Sequence, residues 1–564
     1  MKTKHVIAWL TLVLPLTLSL SAQTGSYDIS KDKVLYAVGY AHLDTEWNWD
    51  YPATINVCLR NMLEENFRLF EKYPEYVFNF TGSRRYRMMK EYYPEYYAKL
   101  KDYVRKGRWC VSGSSVDEGE VNISSSESII RQVLYGNHFF RNEFGKESAD
   151  YMLPDCFGFL ANMPSIWNHC GLLGFSTQKL TWHSASGLPF NVGIWNGPDG
   201  KGIIAALNAT DYNGSVVPRL DKDNYWAARL DGNQKKYGFS FDYRYYGVGD
   251  EGGAPRPNDV KNVVGSLNNP DSKFKVILTS SDQMYKDITP DVRRKLPVYS
   301  GDLLLIQHSA GSLTSNAFMK RTNRKNELLA QASEQAASFA DFMGGTAYPY
   351  DKLNASWDLV LGSQFHDILP GTSIPKAYEY AWNDEFVAAN GFSEVLKNSL
   401  KQISGKLNTN VQGRALVVYN PVAMEREDVV TATMTFATSP ENITVYDFSG
   451  KPLQTQVFER NGNNLKFIFL AKLPSAGLQV FDVREGGNGQ SKMGLSVGDH
   501  SLENGFYRIK IAANGDIESI FDKKLSRELL SQPAQLEMLR EKPEEWPSWN
   551  MDWKDRLQQP VGLM

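Results

Sequence analysis

Cysteine is scarce. There are four in 564 residues, Cys58, Cys110, Cys156 and Cys170, and no two of them form a C-x-x-C pair. That spacing argues against a zinc ribbon and leaves either one or two disulfides or four buried thiols. Basic charge is not in excess either: the formal net charge is −3 and no long basic run occurs. Electrostatic capture of nucleic acid or of an anionic membrane is therefore not indicated. Beyond the first two dozen residues, no apolar stretch approaches the ~20 residues that a membrane-spanning helix needs. Internal repeats and low-complexity tracts are also lacking. The one glycine-dense loop, YYGVGDEGGAP (Tyr245–Pro255), lacks the following Lys-Ser/Thr of a phosphate-binding loop.

What is present is an ordinary globular composition, 42% hydrophobic and 22% charged, with 13 Trp, 29 Tyr and 28 Phe. Aromatic faces stack on sugar rings, but large cores are aromatic too. The length allows three or four domains. The N-terminus, MKTKHVIAWLTLVLPLTLSLSAQTG, has basic Lys2 and Lys4, an apolar run from Val6 to Leu20 and small Ser21 and Ala22. It reads as a signal peptide over residues 1–22 and predicts export, to the periplasm or the extracellular space.

From Lys33 to about Pro290, short apolar runs alternate with helical patterns. Strands are expected at Val34–Tyr40, Val77–Phe80, Arg108–Gly113 and Ala149–Pro154. Helices are expected at Asn56–Lys72, at Ser126–Phe144 with Ser126 or Ser124 as its cap, and at Met163–Cys170. This alternation predicts an α/β domain with a mostly parallel sheet over 26–295. Helical patterns at Phe318–Met343, Trp357–Phe365 and Ala377–Leu407 follow without strands, which predicts a helical bundle over 296–408. Short β-rich runs from Ala415 predict a β-sandwich over 409–490. Residues 491–564 are expected to begin a second β-domain that is incomplete, because too few strands follow Leu502 to close a sheet.

Four segments could carry chemistry. In GYAHLDTEW (Gly39–Trp47) a strand ends in His42-x-Asp44, and period-two alternation projects both side chains to one face. They could bind a metal, although such a pair more often hydrogen-bonds loop backbone. In YMLPDCFGF (Tyr151–Phe159) a strand runs into Asp155 among apolar groups. A carboxylate there is a helix cap or a catalytic group, and burying it requires a metal, a donor or a cation nearby. In GSQFHDILPGTS (Gly362–Ser373) an apolar helix ends in His366-Asp367, either a histidine at the dipole's negative end or a further ligand. The glycine-dense loop presents Asp250 and Glu251, one of which suits a general acid and either of which suits an ordinary turn.

Taken in order, AHLDTEW, SESIIRQV, LPDCFGF, STQKLTWH, GVGDEGGAP, RTNRKNELL, QFHDILPGTSI, VVYNP and ENGFYRIKI span nearly the whole chain and resemble glycoside hydrolase family 38, the zinc-dependent α-mannosidases. The resemblance implies a seven-stranded (β/α) barrel-like catalytic domain, a three-helix bundle and then β-sandwich domains. It implies one Zn²⁺ held by His42, Asp44, Asp155 and His366, with Asp155 also the nucleophile and Asp250 the acid/base. Glu251 stays open as an alternative to Asp250. It further implies that Trp47 stacks on the sugar, Asp367 binds its hydroxyls and Lys179 supports the nucleophile's charge. Tyr245 and Tyr246 either line the subsite or pack in the core. A mannose-containing oligosaccharide would be the substrate. A ligand set of two histidines and two aspartates would also admit cobalt or manganese. Two other readings stay open: a zinc-dependent carbohydrate deacetylase, and a secreted glycan-binding module without turnover.

Overall fold

The computed structural model describes residues 27–182, 184–306, 308–487 and 494–563. The expected leader over 1–22 lies outside the described residues. The chain divides into two compact units, the first made of residues through 306 together with 364–368 and 373–377. That grouping takes His366 and Asp367 out of the helical region in which the sequence places them.

The first unit is α/β. Its strands are β1 (Val34–Ala41), β2 (Phe78–Thr81), β3 (Trp109–Ser112), β4 (Asp150–Met152), β5 (Gly174–Ser176), β6 (Val192–Asn196), β7 (Gly202–Ala206), β8 (Phe241–Val248), β9 (Lys275–Leu278) and β10 (Val298–Ser300). Every residue of β1 is buried, as expected of a parallel strand covered on both faces. Alternate residues divide between two cores: Leu35 and Ala37 enter one, Tyr36, Val38 and Tyr40 the other. Strand β8 pairs with β1 in parallel from Val34↔Phe241 to Ala41↔Val248. The opposite edge of β1 is shared, with β9 along its first half and β2 at Tyr40↔Asn79.

The expected seven-stranded barrel is not what the described residues form. Strands β3-β2-β1-β8, with β9 on β1, make one five-stranded sheet, and β10-β6-β7-β5-β4 make another. The second sheet is mixed, because β6 runs antiparallel to β7 while β5 and β7 are parallel. Two differences in the helices have local causes. The helix Ser126–Phe144 is capped by Ser125, whose Oγ accepts the Ser128 N–H at 3.2 Å, and not by Ser124 or Ser126. The helical run to Lys72 starts at Tyr51 rather than Asn56, after an Asp50 cap, and passes through a π-helical turn at Thr54–Leu59.

In the second unit the helical patterns appear as Ala317–Phe342 and Tyr350–Ser363, and the helix Pro375–Ser404 follows in the chain. A β-sandwich comes next: a four-stranded sheet (Arg414–Asn420, Gly477–Glu485, Ile443–Tyr446, Pro452–Leu453) and a three-stranded one (Arg426–Thr435, Asn464–Leu473, Thr455–Asn461). Phe467 and Phe469 from one sheet pack with Val445 and Phe481 from the other. Five short antiparallel strands between Ser496 and Glu528 form a sheet, and three of them, Tyr507–Ile511, Ile517–Asp522 and Arg527–Glu528, follow Leu502. All four cysteines are free thiols. Among the described residues, no helix is long and apolar enough to cross a membrane.

Candidate active site

The chemistry-bearing residues gather beyond the carboxyl ends of parallel strands, where α/β folds build their sites. His42 and Asp44 follow β1, Asp155 follows β4, Lys179 follows β5 and Asp250 follows β8. The His-x-Asp segment is stitched to the glycine loop beyond the last residues of β1 and β8. The N–H of His42 donates to the Val248 carbonyl, that of Asp44 to Asp250, and that of Gly252 to His42, at 3.0, 2.8 and 2.9 Å. His366 arrives by a different route. Residues 364–366 lie alongside 118–120, with a bridge between Gly119 and Phe365 and Glu120 N–H donating to the Gln364 carbonyl at 2.8 Å.

His42 and His366 are wholly buried and their rings stack at 5.4 Å between centroids. Both Nε2 atoms face the same oxygen of Asp44, at 3.0 Å from His42 and 3.2 Å from His366. Asp155 Oδ2 lies 4.0 Å from His42 Nε2. Ligand atoms of His42, Asp155 and His366 all fall within 4.8 Å of one another, and those of Asp44, His366 and Asp367 do likewise. Burial opposes charge on His42, yet the carboxylates of Asp44 and Glu118 more than offset it and raise its pKa to about 10. His366 Nδ1 meets the Glu118 carbonyl at 2.8 Å; a carbonyl only accepts, so Nδ1 carries the proton. In the neutral ring Nε2 is then a bare lone pair against a carboxylate, and it is a buried atom without a hydrogen bond. Lone pairs converging from two imidazoles and two carboxylates fit a divalent cation.

Asp155 differs from the other three ligand candidates in being reachable: its side chain is 15% exposed, against 2% for Asp44 and none for the histidines. Lys179 forms an ion pair with it and is itself nearly buried, with its ammonium 5.3 Å from the Phe157 ring centroid and 4.1 Å from that of Trp182. Trp47 is half-buried, edge-on to Trp49 at 5.8 Å. Asp367 is buried, with Oδ2 3.9 Å from His366 Nε2.

The glycine loop distinguishes its two acids. Asp250 is half-buried and accepts the Tyr212 hydroxyl at 2.9 Å, whereas Glu251 is exposed. Burial pushes the Asp250 pKa up; the charges of Asp44 and Asp155 add to the rise, and His42 and the Tyr212 hydrogen bond oppose it. The Asp250 backbone sits at φ 63°, in the left-handed region that costs a non-glycine residue conformational energy. Its neighbour Gly249 has no room for a Cβ, which would lie 2.0 Å from a ring carbon of Tyr212. That close approach seats the Tyr212 phenol beside both Asp250 and His42, with the Tyr212 and His42 ring centroids 4.7 Å apart.

Tyr245 and Tyr246 are both fully buried, one in each core of the sheet, so neither lines the site. Two residues that the sequence did not single out do reach it, Tyr212 through Asp250 and Glu118 through both histidines.

Three family models match the chain: "Glycosyl hydrolases family 38 N-terminal domain" over residues 33–302, "Alpha mannosidase middle domain" over 308–403 and "Glycosyl hydrolases family 38 C-terminal domain" over 502–563. Alpha-mannosidase G of Dictyostelium discoideum is 28% identical over 530 residues, covering 89% of this chain and 47% of that protein. The human protein alpha-mannosidase 2C1 is 26% identical over 547 residues, covering 95% of this chain and 49% of that protein. The chain thus spans about half the length of these curated relatives. Among solved structures, an alpha-mannosidase from Enterococcus faecalis V583 superposes with a TM-score of 0.74 at 19% identity, covering 92% of this chain and 63% of that one, a likeness of fold.

Proposed function

We propose that this chain, which belongs to glycosyl hydrolase family 38, hydrolyses terminal α-mannosides with retention of configuration, using Asp155 as nucleophile and Asp250 as acid/base. The observation that carries this reading is the contrast between the two carboxyls. Both are half-buried, but Asp155 is ion-paired with Lys179, while Asp250 faces the Tyr212 hydroxyl and has its pKa raised by burial first and by neighbouring carboxylates second. Two carboxyls in opposed environments divide the work of a glycosidase between attack and proton transfer.

In the first step an Asp155 oxygen bonds to the anomeric carbon as the glycosidic C–O bond breaks, and Asp250 gives its proton to the departing oxygen. In the second, Asp250 takes a proton from water, the water oxygen bonds to the same carbon, and the ester to Asp155 breaks. Lys179 supports the aspartate charge that leads into the first step and returns after the second. Trp47 offers an indole face to the sugar and Asp367 a carboxylate to its hydroxyls. His42, Asp44, Asp155 and His366 would hold a divalent cation, zinc by the family resemblance, which would supply a template and charge stabilisation for sugar hydroxyls. An exported enzyme acting on mannose-bearing oligosaccharides agrees with the basic-apolar-small pattern of residues 1–22.

The test is release of p-nitrophenol from p-nitrophenyl α-mannoside by the purified chain. Turnover is expected to vanish on chelation and to return with added Zn²⁺; turnover that survives exhaustive chelation, or a folded metal-loaded chain without activity on α-mannosides, sinks the reading. A pH profile adds a second check. Asp250 must hold its proton to act first, so kcat/KM on an alkyl mannoside falls as pH rises through its raised pKa. The Tyr212 hydrogen bond stabilises the ionised form, so Tyr212→Phe is expected to move that basic limb to higher pH. A limb that stays put or moves down removes Asp250 as the titrating acid.

A further inference from the structure

One residue outside the candidate ligand set touches both histidines. Glu118 Oε2 stands 3.3 Å from His42 Nδ1, and the carbonyl of the same residue meets His366 Nδ1 at 2.8 Å. That carbonyl also accepts the His366 backbone N–H at 3.1 Å, so ring and main chain of His366 are tied to a single peptide. Tyr40 OH, 3.1 Å from His42 Nδ1, commits its one proton to Glu118 Oε1 at 2.5 Å. Both neighbours of His42 Nδ1 are then acceptors, which holds a proton on Nδ1 and makes Nε2 the lone pair once the ring is neutral, as a ligating ring must be. With the carbonyl imposing the same tautomer on His366, both rings, when neutral, aim an Nε2 lone pair towards the side where Asp44 lies.

The carboxylate that does this is itself fixed. Its Oε1 also accepts from the Thr81 hydroxyl at 2.5 Å and Arg85 Nη1 at 3.2 Å, and Arg85 continues to Asp117 at 2.8 Å. Asp117 Oδ1 in turn accepts the Glu118 N–H at 2.8 Å, while Gln132 Oε1 accepts the N–H groups of Val116 and Asp117 at 3.1 and 3.2 Å. Arg85, Asp117 and Glu118 are all wholly buried. Stability does not explain such a triad, because packed apolar residues of similar volume are commonly as stable as a buried ion-pair network. Nor is Glu118 fully used by it, since Oε2 is a buried oxygen without a hydrogen bond of good geometry, next to the His42 ring.

Resting on the reading of His42 and His366 as metal ligands, we propose that Glu118 is the positioning residue of the metal centre, setting the proton placement and aim of both imidazoles from one peptide. Carboxylate and carbonyl partners behind ligating imidazoles fix ring orientation and raise ligand basicity, and losing one weakens metal binding by about 10- to 100-fold. Here the carbonyl half survives any substitution, so His366 keeps its partner when the side chain is changed.

The experiment is a Co²⁺ titration of the whole chain, read as Kd by competition with a chelator and as the visible spectrum of the bound ion. It compares wild type, Glu118→Gln and Glu118→Asp, with circular dichroism to verify the fold. The expected result is a Kd about 10- to 100-fold weaker in folded Glu118→Gln, with a changed Co²⁺ spectrum. In Glu118→Asp, which keeps the charge beside Arg85 but shortens the reach to His42, the loss is smaller. Wild-type affinity and spectrum in folded Glu118→Gln overturn the proposal while leaving the metal reading intact. Failure of the wild-type chain to bind Co²⁺ overturns the metal reading and this inference with it. If Glu118→Gln does not fold, Tyr40→Phe decides, since it leaves every charge in place. Measurably weaker Co²⁺ binding then supports the proposal and unchanged binding overturns it.

Discussion

Replacing Asp155 with alanine is expected to lower kcat/KM on aryl α-mannosides by about 10⁴-fold or more, the scale on which removal of a nucleophile acts. The fold should survive, because Asp155 is reachable from solvent and its substitution leaves no carboxylate to satisfy. Lys179 would be left nearly buried without its partner, a cost confined to stability, so the thermal midpoint should fall by a few degrees while activity falls by orders of magnitude. Alanine also vacates the face from which Asp155 is proposed to attack. Added azide, entering that space, is expected to restore turnover of an activated α-mannoside and to yield the β-mannosyl azide. Product analysis by NMR reads the outcome. Unrescued loss in a variant verified to hold its metal, or an azide product of retained configuration, would count against attack from Asp155.

Asp250→Ala carries the second large effect, and its signature is dependence on the leaving group. An alkyl or sugar leaving group needs the proton, so kcat/KM on such mannosides is expected to drop by about 10²- to 10⁴-fold. 2,4-Dinitrophenolate leaves without assistance, so kcat/KM on the corresponding mannoside should change little. In the proposed mechanism release of the enzyme-bound sugar also needs Asp250, as base towards water, so kcat is expected to fall even with the activated substrate. Glu251→Ala should leave both substrates almost unaffected, because Glu251 is exposed while Asp250 takes the Tyr212 hydrogen bond. A uniform loss across leaving groups in Asp250→Ala would assign that residue to binding rather than proton transfer.

Much of the candidate site was legible in the sequence because its parts follow strands. His42 and Asp44 continue the alternation of β1, where one buried strand dictates which way each side chain points. Asp155 and Asp250 likewise sit two or three residues beyond β4 and β8. What supports them was not legible. Glu118 lies in a loop after β3 with no periodicity of its own, and its partners are Tyr40, Thr81, Arg85 and residue 366, joined only by folding. Tyr212 meets Asp250 across 38 residues of sequence. Local pattern also settles an element better than its partner. The strands after Lys33 could be read from their apolar runs, but their pairing could not, since β9 takes half of one edge of β1 and leaves the rest to β2. Tyr245 and Tyr246 illustrate the same limit: adjacent residues of β8 face opposite cores, which only the pairing with β1 reveals.

The proposed covalent step can be examined directly. A 5-fluoro mannosyl fluoride destabilises the cationic transition states of both steps through its ring fluorine, while its anomeric fluoride speeds the first, so a sugar ester should accumulate on the nucleophile. Peptide mass spectrometry of the metal-loaded chain after this treatment is predicted to find one fluorohexosyl group, on Asp155 within the segment Tyr151–Phe159. A label on any other residue, or turnover of the reagent to a product of inverted configuration with no label at all, would contradict Asp155 as the nucleophile of a retaining mannosidase.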